Sequence, residues 1–197
     1  MAGVFLTVGL FALAWAYPRF PGDEPVLLAV QDLRTGWLDG VMRALTMLGD
    51  AVVALPLIGL VILALILVRR WADALAVAAI IFALGLGHLL KTPIGRPRPD
   101  YFIAGADASG LSFPSGHTVT ALLFGGILIV LANDLIRPIW IRRGVQAGLG
   151  VLVLAVGFSR VYLGVHWPSD VIGAYLFAAV ALVVILTCRN TLVSKGW

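Results

Sequence analysis

Charge is scarce in this chain. Asp, Glu, Lys and Arg make up 12% of its 197 residues against 61% hydrophobic ones, a balance outside the range of water-soluble domains. Cysteine is nearly missing too, and the single Cys188 excludes an internal disulfide and a thiol-based metal site. No Lys or Arg precedes the apolar run at 2–17, which argues against a cleaved secretory signal, although Ala14 and Ala16 make a weak small-x-small site. His88, His117 and His166 fall in different segments with no carboxylate set around them, so no metal site is expected. The net charge of +4 comes from basic residues scattered over loops rather than gathered on one face, which excludes nucleic-acid binding. Internal repeats, low-complexity stretches and flexible linkers are absent as well.

What the chain does have is long apolar runs. A helix crosses the bilayer core with roughly 17–25 apolar residues, and six candidates lie near 2–17, 51–68, 74–90, 118–133, 144–158 and 171–187. The expected fold is all-α: a polytopic six-transmembrane-helix bundle forming one membrane-embedded domain over residues 1–197. Between the first two spans, Leu27, Val30, Leu33, Trp37, Val41, Leu45 and Leu48 recur at three- and four-residue steps, the pattern of an amphipathic helix. Such a helix either lies in the interfacial plane beside a lipid entry or packs on the outer surface of the bundle.

Loop charges set the orientation. With six spans, one side carries Arg69, Arg70, Arg137, Arg142, Arg143, Arg189 and Lys195, opposed only by Asp73 and Asp134. On the other side Arg19, Arg34 and Arg43 are diluted by Asp23, Glu24, Asp32, Asp39 and Asp50, and Lys91, Arg96, Arg98 and Arg160 cluster in or next to polar islands. The positive-inside rule places both termini in the cytoplasm and those islands outside.

Three islands hold nearly all the residues able to do phosphate chemistry, and charge beside a membrane span marks a functional site by default. In the first, Lys91 to Pro99, three prolines and a glycine stop a helix and stiffen the connection. Lys91 supplies a point charge and Arg98 a planar fork for phosphoryl oxygens. Alone, this island serves equally as a basic stop-transfer flank. In the second, Pro114-Ser115-Gly116-His117 leads into a span. Pro114 suits the first helical position, leaving Ser115, Gly116 and His117 in a first turn whose free N–H groups cradle an anion. His117 is then placed to protonate a departing oxygen. A Ser-capped helix with an interfacial histidine is the plain alternative.

The third island runs from Ser159 to Asp170. Pro168 suits a helix start, which puts Asp170 in the first turn, four residues after His166. An aspartate there holds one imidazole nitrogen so that the other attacks, and Arg160 adds a third cation. His88 reads as a packing or supporting histidine, and Asp100 and Asp107 as solvated loop acids.

Together the islands spell K-x6-RP, PSGH and SR-x5-H-x3-D over Lys91 to Asp170, complete at every position. This resembles the type 2 phosphatidic acid phosphatase superfamily, which also includes bacterial lipid phosphatases and vanadium haloperoxidases. The resemblance implies that His166 is the nucleophile of a phosphohistidine intermediate, that Asp170 orients it, and that His117 protonates the leaving group. It implies that Lys91, Arg98, Ser115, Gly116 and Arg160 bind the phosphoryl oxygens, and that no metal or other cofactor takes part. An outward-facing site suits undecaprenyl diphosphate. Phosphatidylglycerol phosphate, phosphatidic acid and lipid A 1-phosphate compete with it, because the motifs read only the phosphate. A phospholipid-binding or transport protein without catalysis would need the cations, but not the matched acid, nucleophile and orienting residue.

Overall fold

No water reaches the bilayer core, so each apolar run must satisfy its backbone within its own segment, and helices do this. The computed structural model describes residues 2–101 and 109–196; Asp107 lies outside them. Among the described residues there are nine helices and no strand. They are α1 (Ala2–Ala16), α2 (Asp23–Gln31), α3 (Gly36–Met47), α4 (Ala51–Leu67), α5 (Trp71–Leu89), α6 (Lys91–Ile94), α7 (Gly116–Leu135), α8 (Ile139–Tyr162) and α9 (Pro168–Ser194).

Four segments are long and apolar enough to cross a membrane: α5 continued by α6, α7, α8 and α9. Helices α3 and α4, bent by 45° at their junction, pass together as a fifth, and α1 is apolar but shorter. Helix α7 is the hub, packing against α5, α8 and α9. Close approach depends on small residues: a Cβ at Gly125 would meet Val153 of α8, and one at Gly126 would meet Leu182 of α9. Ile58, Val77, Ile80, Leu123, Ile127, Ala174 and Ala178 fill the core between α4, α5, α7 and α9.

The amphipathic stretch is two helices rather than one. Thr35 is extended (φ −144°), so the chain turns at 32–35 and the helical phase restarts. Leu27 and Val30 of α2 pack on Val161, Trp167 and Val171, while Leu38, Met42 and Leu45 of α3 pack on Tyr162, Leu163 and Val165. Trp37, Val41 and Leu48, expected on the same stripe, are exposed because the restart turns them to another side, and Leu33 is exposed in the turn itself. The pair is thus packed on the bundle, over the third polar island.

At the opposite end of the bundle a buried ion-pair network ties α5, α7 and α9 together. Arg189 Nε donates to Asp73 Oδ1 at 2.6 Å, and its other arm pairs with Asp134; Arg70 pairs with Asp73 and, at 3.2 Å, with Asp134. Removing one partner from a buried pair leaves an uncompensated charge, so Asp73→Ala is expected to cost about 3 kcal/mol of stability. A thermal midpoint in detergent indistinguishable from wild type would refute this.

Candidate active site

Three helix ends meet at one end of the bundle: the α5–α6 exit, the start of α7, and the α8–α9 connection. Their local structure follows from their turn residues. Gly95 (φ 65°) ends the single turn of α6 in the left-handed region that favours glycine, and the chain then runs without helix through Arg96 and Arg98. Gly164 (φ 71°) likewise turns the chain after α8, where a Cβ would collide with the Tyr101 carbonyl. Pro168 opens α9 as expected. Asp170, at the third helical position, accepts from the Trp167 N–H at 2.8 Å in a capping arrangement.

Pro114 is not at the first helical position. Helix α7 starts at Gly116 with Ser115 as its N-cap, and the Phe113–Pro114 peptide is cis. The Ser115 N–H donates to the Asp170 carbonyl at 3.3 Å, a cross-link that holds Ser115 extended (φ −69°, ψ 111°) and delays the helix start from Pro114 to Gly116.

His166 is 1% exposed, between Arg98 and Asp170. Arg98 Nη1 lies 3.0 Å from Nε2, and Asp170 Oδ2 lies 3.4 Å from Nδ1. A guanidinium has no acceptor, so Nε2 presents its lone pair and the ring proton sits on Nδ1, facing the carboxylate. Burial first, then the charges of Arg98, Arg160 and Lys91, hold the His166 imidazole well below its ordinary pKa, which favours the neutral ring. Arg98 also donates to the carbonyls of Val165 (2.7 Å), Ser109 (3.1 Å) and Gly110 (3.0 Å).

The other expected residues surround this pair. Lys91 Nζ reaches the carbonyls of Pro114 (2.7 Å), Leu111 (3.1 Å) and Ser112 (3.4 Å), so its three donors tie the first island to the second. Buried Arg160 donates from Nη1 to Thr46 Oγ1 of α3 at 2.5 Å, while its Nε has no hydrogen-bond partner among the described residues. An orphaned buried donor of this kind calls for an acceptor. Ser115 Oγ accepts from Thr118 at 3.0 Å. Gly116 is exposed, and a Cβ there would enter open space.

His117 Nε2 lies 3.8 Å from Asp50 Oδ2, and Gly49 presses so close that its Cβ would sit 2.8 Å from the His117 carbonyl oxygen. A cavity of about 700 Å³ reaches these groups between α4, α5 and α7; Leu55, Ile81 and Leu84 line its apolar part, and Lys91, Gly116 and His117 its polar end. His88 is exposed and lines the same cavity. Asp100 is exposed.

Sequence reasoning missed Ser112, whose hydroxyl donates to Asp170 Oδ2 and lies 3.3 Å from His166 Nδ1. It stands three residues before Ser115, and nothing in its own neighbourhood marks it. Thr46 and Asp50 were missed for the same reason. Arg96 was noted beside the site but given no role.

The arrangement offers an oriented imidazole with several cations, and a largely apolar cavity whose polar end carries Lys91 and a second histidine, His117. The family model described as PAP2 superfamily matches residues 72–194. A phosphatidylglycerophosphatase B of Bacillus subtilis is 35% identical over 159 residues, covering 78% of this chain and 76% of that protein. A decaprenylphosphoryl-5-phosphoribose phosphatase of Mycobacterium tuberculosis is 34% identical over 175 residues, covering 83% of this chain and 89% of its own. The crystal structure of a transmembrane PAP2-type phosphatidylglycerolphosphate phosphatase from Bacillus subtilis superposes with a TM-score of 0.81 at 29% identity, covering 97% of this chain and 98% of that one.

Proposed function

This chain belongs to the PAP2 superfamily and is a phosphatase, and on that premise we propose that it removes the terminal phosphate of a membrane lipid through a phosphohistidine intermediate. In the first step His166 Nε2 forms a bond to phosphorus as the bond from phosphorus to the lipid oxygen breaks, and that oxygen takes the proton of His117. Asp170 holds the Nδ1 proton throughout. Arg98 exchanges its contact with Nε2 for a phosphoryl oxygen, the free Arg160 Nε takes another, and the α7 N-terminus at Ser115 and Gly116 takes the third. Lys91 contributes charge while holding the loop. Water then attacks phosphorus, gives a proton to His117 and releases phosphate, freeing His166.

The observation that carries this reading is buried His166, with Nε2 3.0 Å from the Arg98 guanidinium and Nδ1 3.4 Å from the Asp170 carboxylate behind it. Two features support a lipid. The cavity wall is apolar, and the site lies at the ends of spanning helices. With α1 and the bent α3–α4 pair counted as crossings, the domain has six spans. Loop charge then supports an extracytoplasmic site, and the bacterial relatives support a bacterial cytoplasmic membrane.

Undecaprenyl diphosphate is the substrate put forward; likeness to a relative acting on a decaprenylphosphoryl sugar phosphate supports a polyprenyl lipid. Phosphatidylglycerol phosphate is the second reading, favoured by the Bacillus phosphatase. Phosphate release from each lipid in one detergent, with EDTA throughout, separates them. The expected result is metal-independent release with the higher kcat/KM on undecaprenyl diphosphate. A reversed preference selects the phospholipid, and release from neither lipid overturns both.

A further inference from the structure

Asp170 carries a negative charge that must serve His166, yet a second cation outside the motif positions also claims it. Arg96 is fully buried, with Nη1 2.6 Å from Asp170 Oδ1 and Nη2 2.6 Å from Asp23 Oδ2. Its Nε donates to the Pro18 carbonyl at 3.0 Å, and its guanidinium lies over the Phe20 ring at 4.7 Å. Asp23, at the start of α2, is 3% exposed. It accepts from Ser169 N at 3.0 Å and Ser169 Oγ at 2.7 Å, and that hydroxyl in turn accepts from Arg96 Nη1 at 2.8 Å. Asp23, Arg96 and Ser169 thus close a buried ring behind the catalytic aspartate.

We propose that Arg96 and Asp23 are positioning residues for the reaction: Arg96 pins Oδ1 of Asp170 so that Oδ2 faces His166, and Asp23 offsets the Arg96 charge. The charges in line are −, + and −, leaving one net negative charge for the imidazole as it gains a bond to phosphorus and becomes cationic. An Asp170–Arg96 pair alone would be neutral, and Arg96 would draw Asp170 away from His166. Both oxygens of Asp170 are assigned, with Arg96 on one and Ser112, the Trp167 N–H and His166 sharing the other. Helix α2, outside the motif segments, is through this ring an electrostatic part of the site. A lysine could not replace Arg96, because a single ammonium does not fork between two carboxylates.

The proposal rests on His166 being the nucleophile. Its test compares wild type, Asp23→Asn, Asp170→Asn and the double variant, with His166→Ala as control, using phosphate release at saturating and limiting lipid. Asp23→Asn should lower kcat about tenfold or more with KM within about threefold, and cause no further loss in the Asp170→Asn background, since residues that act through one another are non-additive. A merely structural role would lower the two backgrounds alike. Should Asp23→Asn not yield monodisperse protein, Arg96→Lys is read through the same cycle with the same criterion. Unchanged kcat, or losses that multiply independently of Asp170, overturns the proposal while leaving nucleophilic His166 in place. Full activity in His166→Ala, or no release by wild type, overturns the underlying reading instead.

Discussion

Replacing His166 with alanine is expected to abolish turnover, lowering kcat by about 10⁴-fold or more, because no other group can form the covalent bond to phosphorus. The geometry makes this specific to the ring. Its Nε2 lone pair is already held in line with Arg98 and its Nδ1 proton faces Asp170, so the nucleophile is aligned before substrate arrives. Burial and the surrounding cations favour the neutral ring, the form that the proposed attack requires. Phosphate release measured with the preferred lipid checks the rate, and acid-labile, base-stable label on quenched wild type checks the intermediate. Retention of activity in the variant would remove His166 from the mechanism.

The second large effect belongs to His117. Its replacement by alanine is expected to slow turnover by about 10²–10⁴-fold, the range for general acid–base catalysis. That loss depends on the leaving group, which provides a sharper check than rate alone. Release of an alcohol from phosphatidylglycerol phosphate needs the proton badly, whereas a diphosphate expels a stable phosphate monoester that needs it less. The fold-loss in His117→Ala should therefore be larger on phosphatidylglycerol phosphate than on undecaprenyl diphosphate. Equal losses on both lipids would mean that His117 positions the phosphoryl group rather than protonating the departing oxygen. Asp50, 3.8 Å from the His117 ring, is the one carboxylate paired with it among the described residues.

Much of this was legible from local pattern. The hydropathy runs located α4, α5, α7, α8 and α9, because a helix in lipid must be apolar wherever it faces tails. His166 and Asp170 could be paired from spacing, since a proline opening a helix puts the fourth residue after the histidine in its first turn. Pattern misled where a distant contact competed with it. The stripe from Leu27 to Leu48 looked continuous, but the turn at 32–35 split it, and each half buried the face that met the third island. Pro114 suited a helix start, yet the link from Ser115 to the Asp170 carbonyl moved the start to Gly116.

The sequence by itself determined the membrane character and the types and order of the candidate site residues, since helix length, helix ends and short-range spacing are set by neighbours in the chain. Only the tertiary structure decided what stands behind those residues. Thr46, Asp50 and Ser112 reach Arg160, His117 and His166, and Asp23 reaches Arg96 and Ser169 behind Asp170, all from segments far away in sequence, and each is an ordinary polar residue in its own surroundings. For Asp23 and Ser112 the reason is burial, since in a low-dielectric site every donor and charge must find a partner, and for all four packing of the helix ends decides which partners meet.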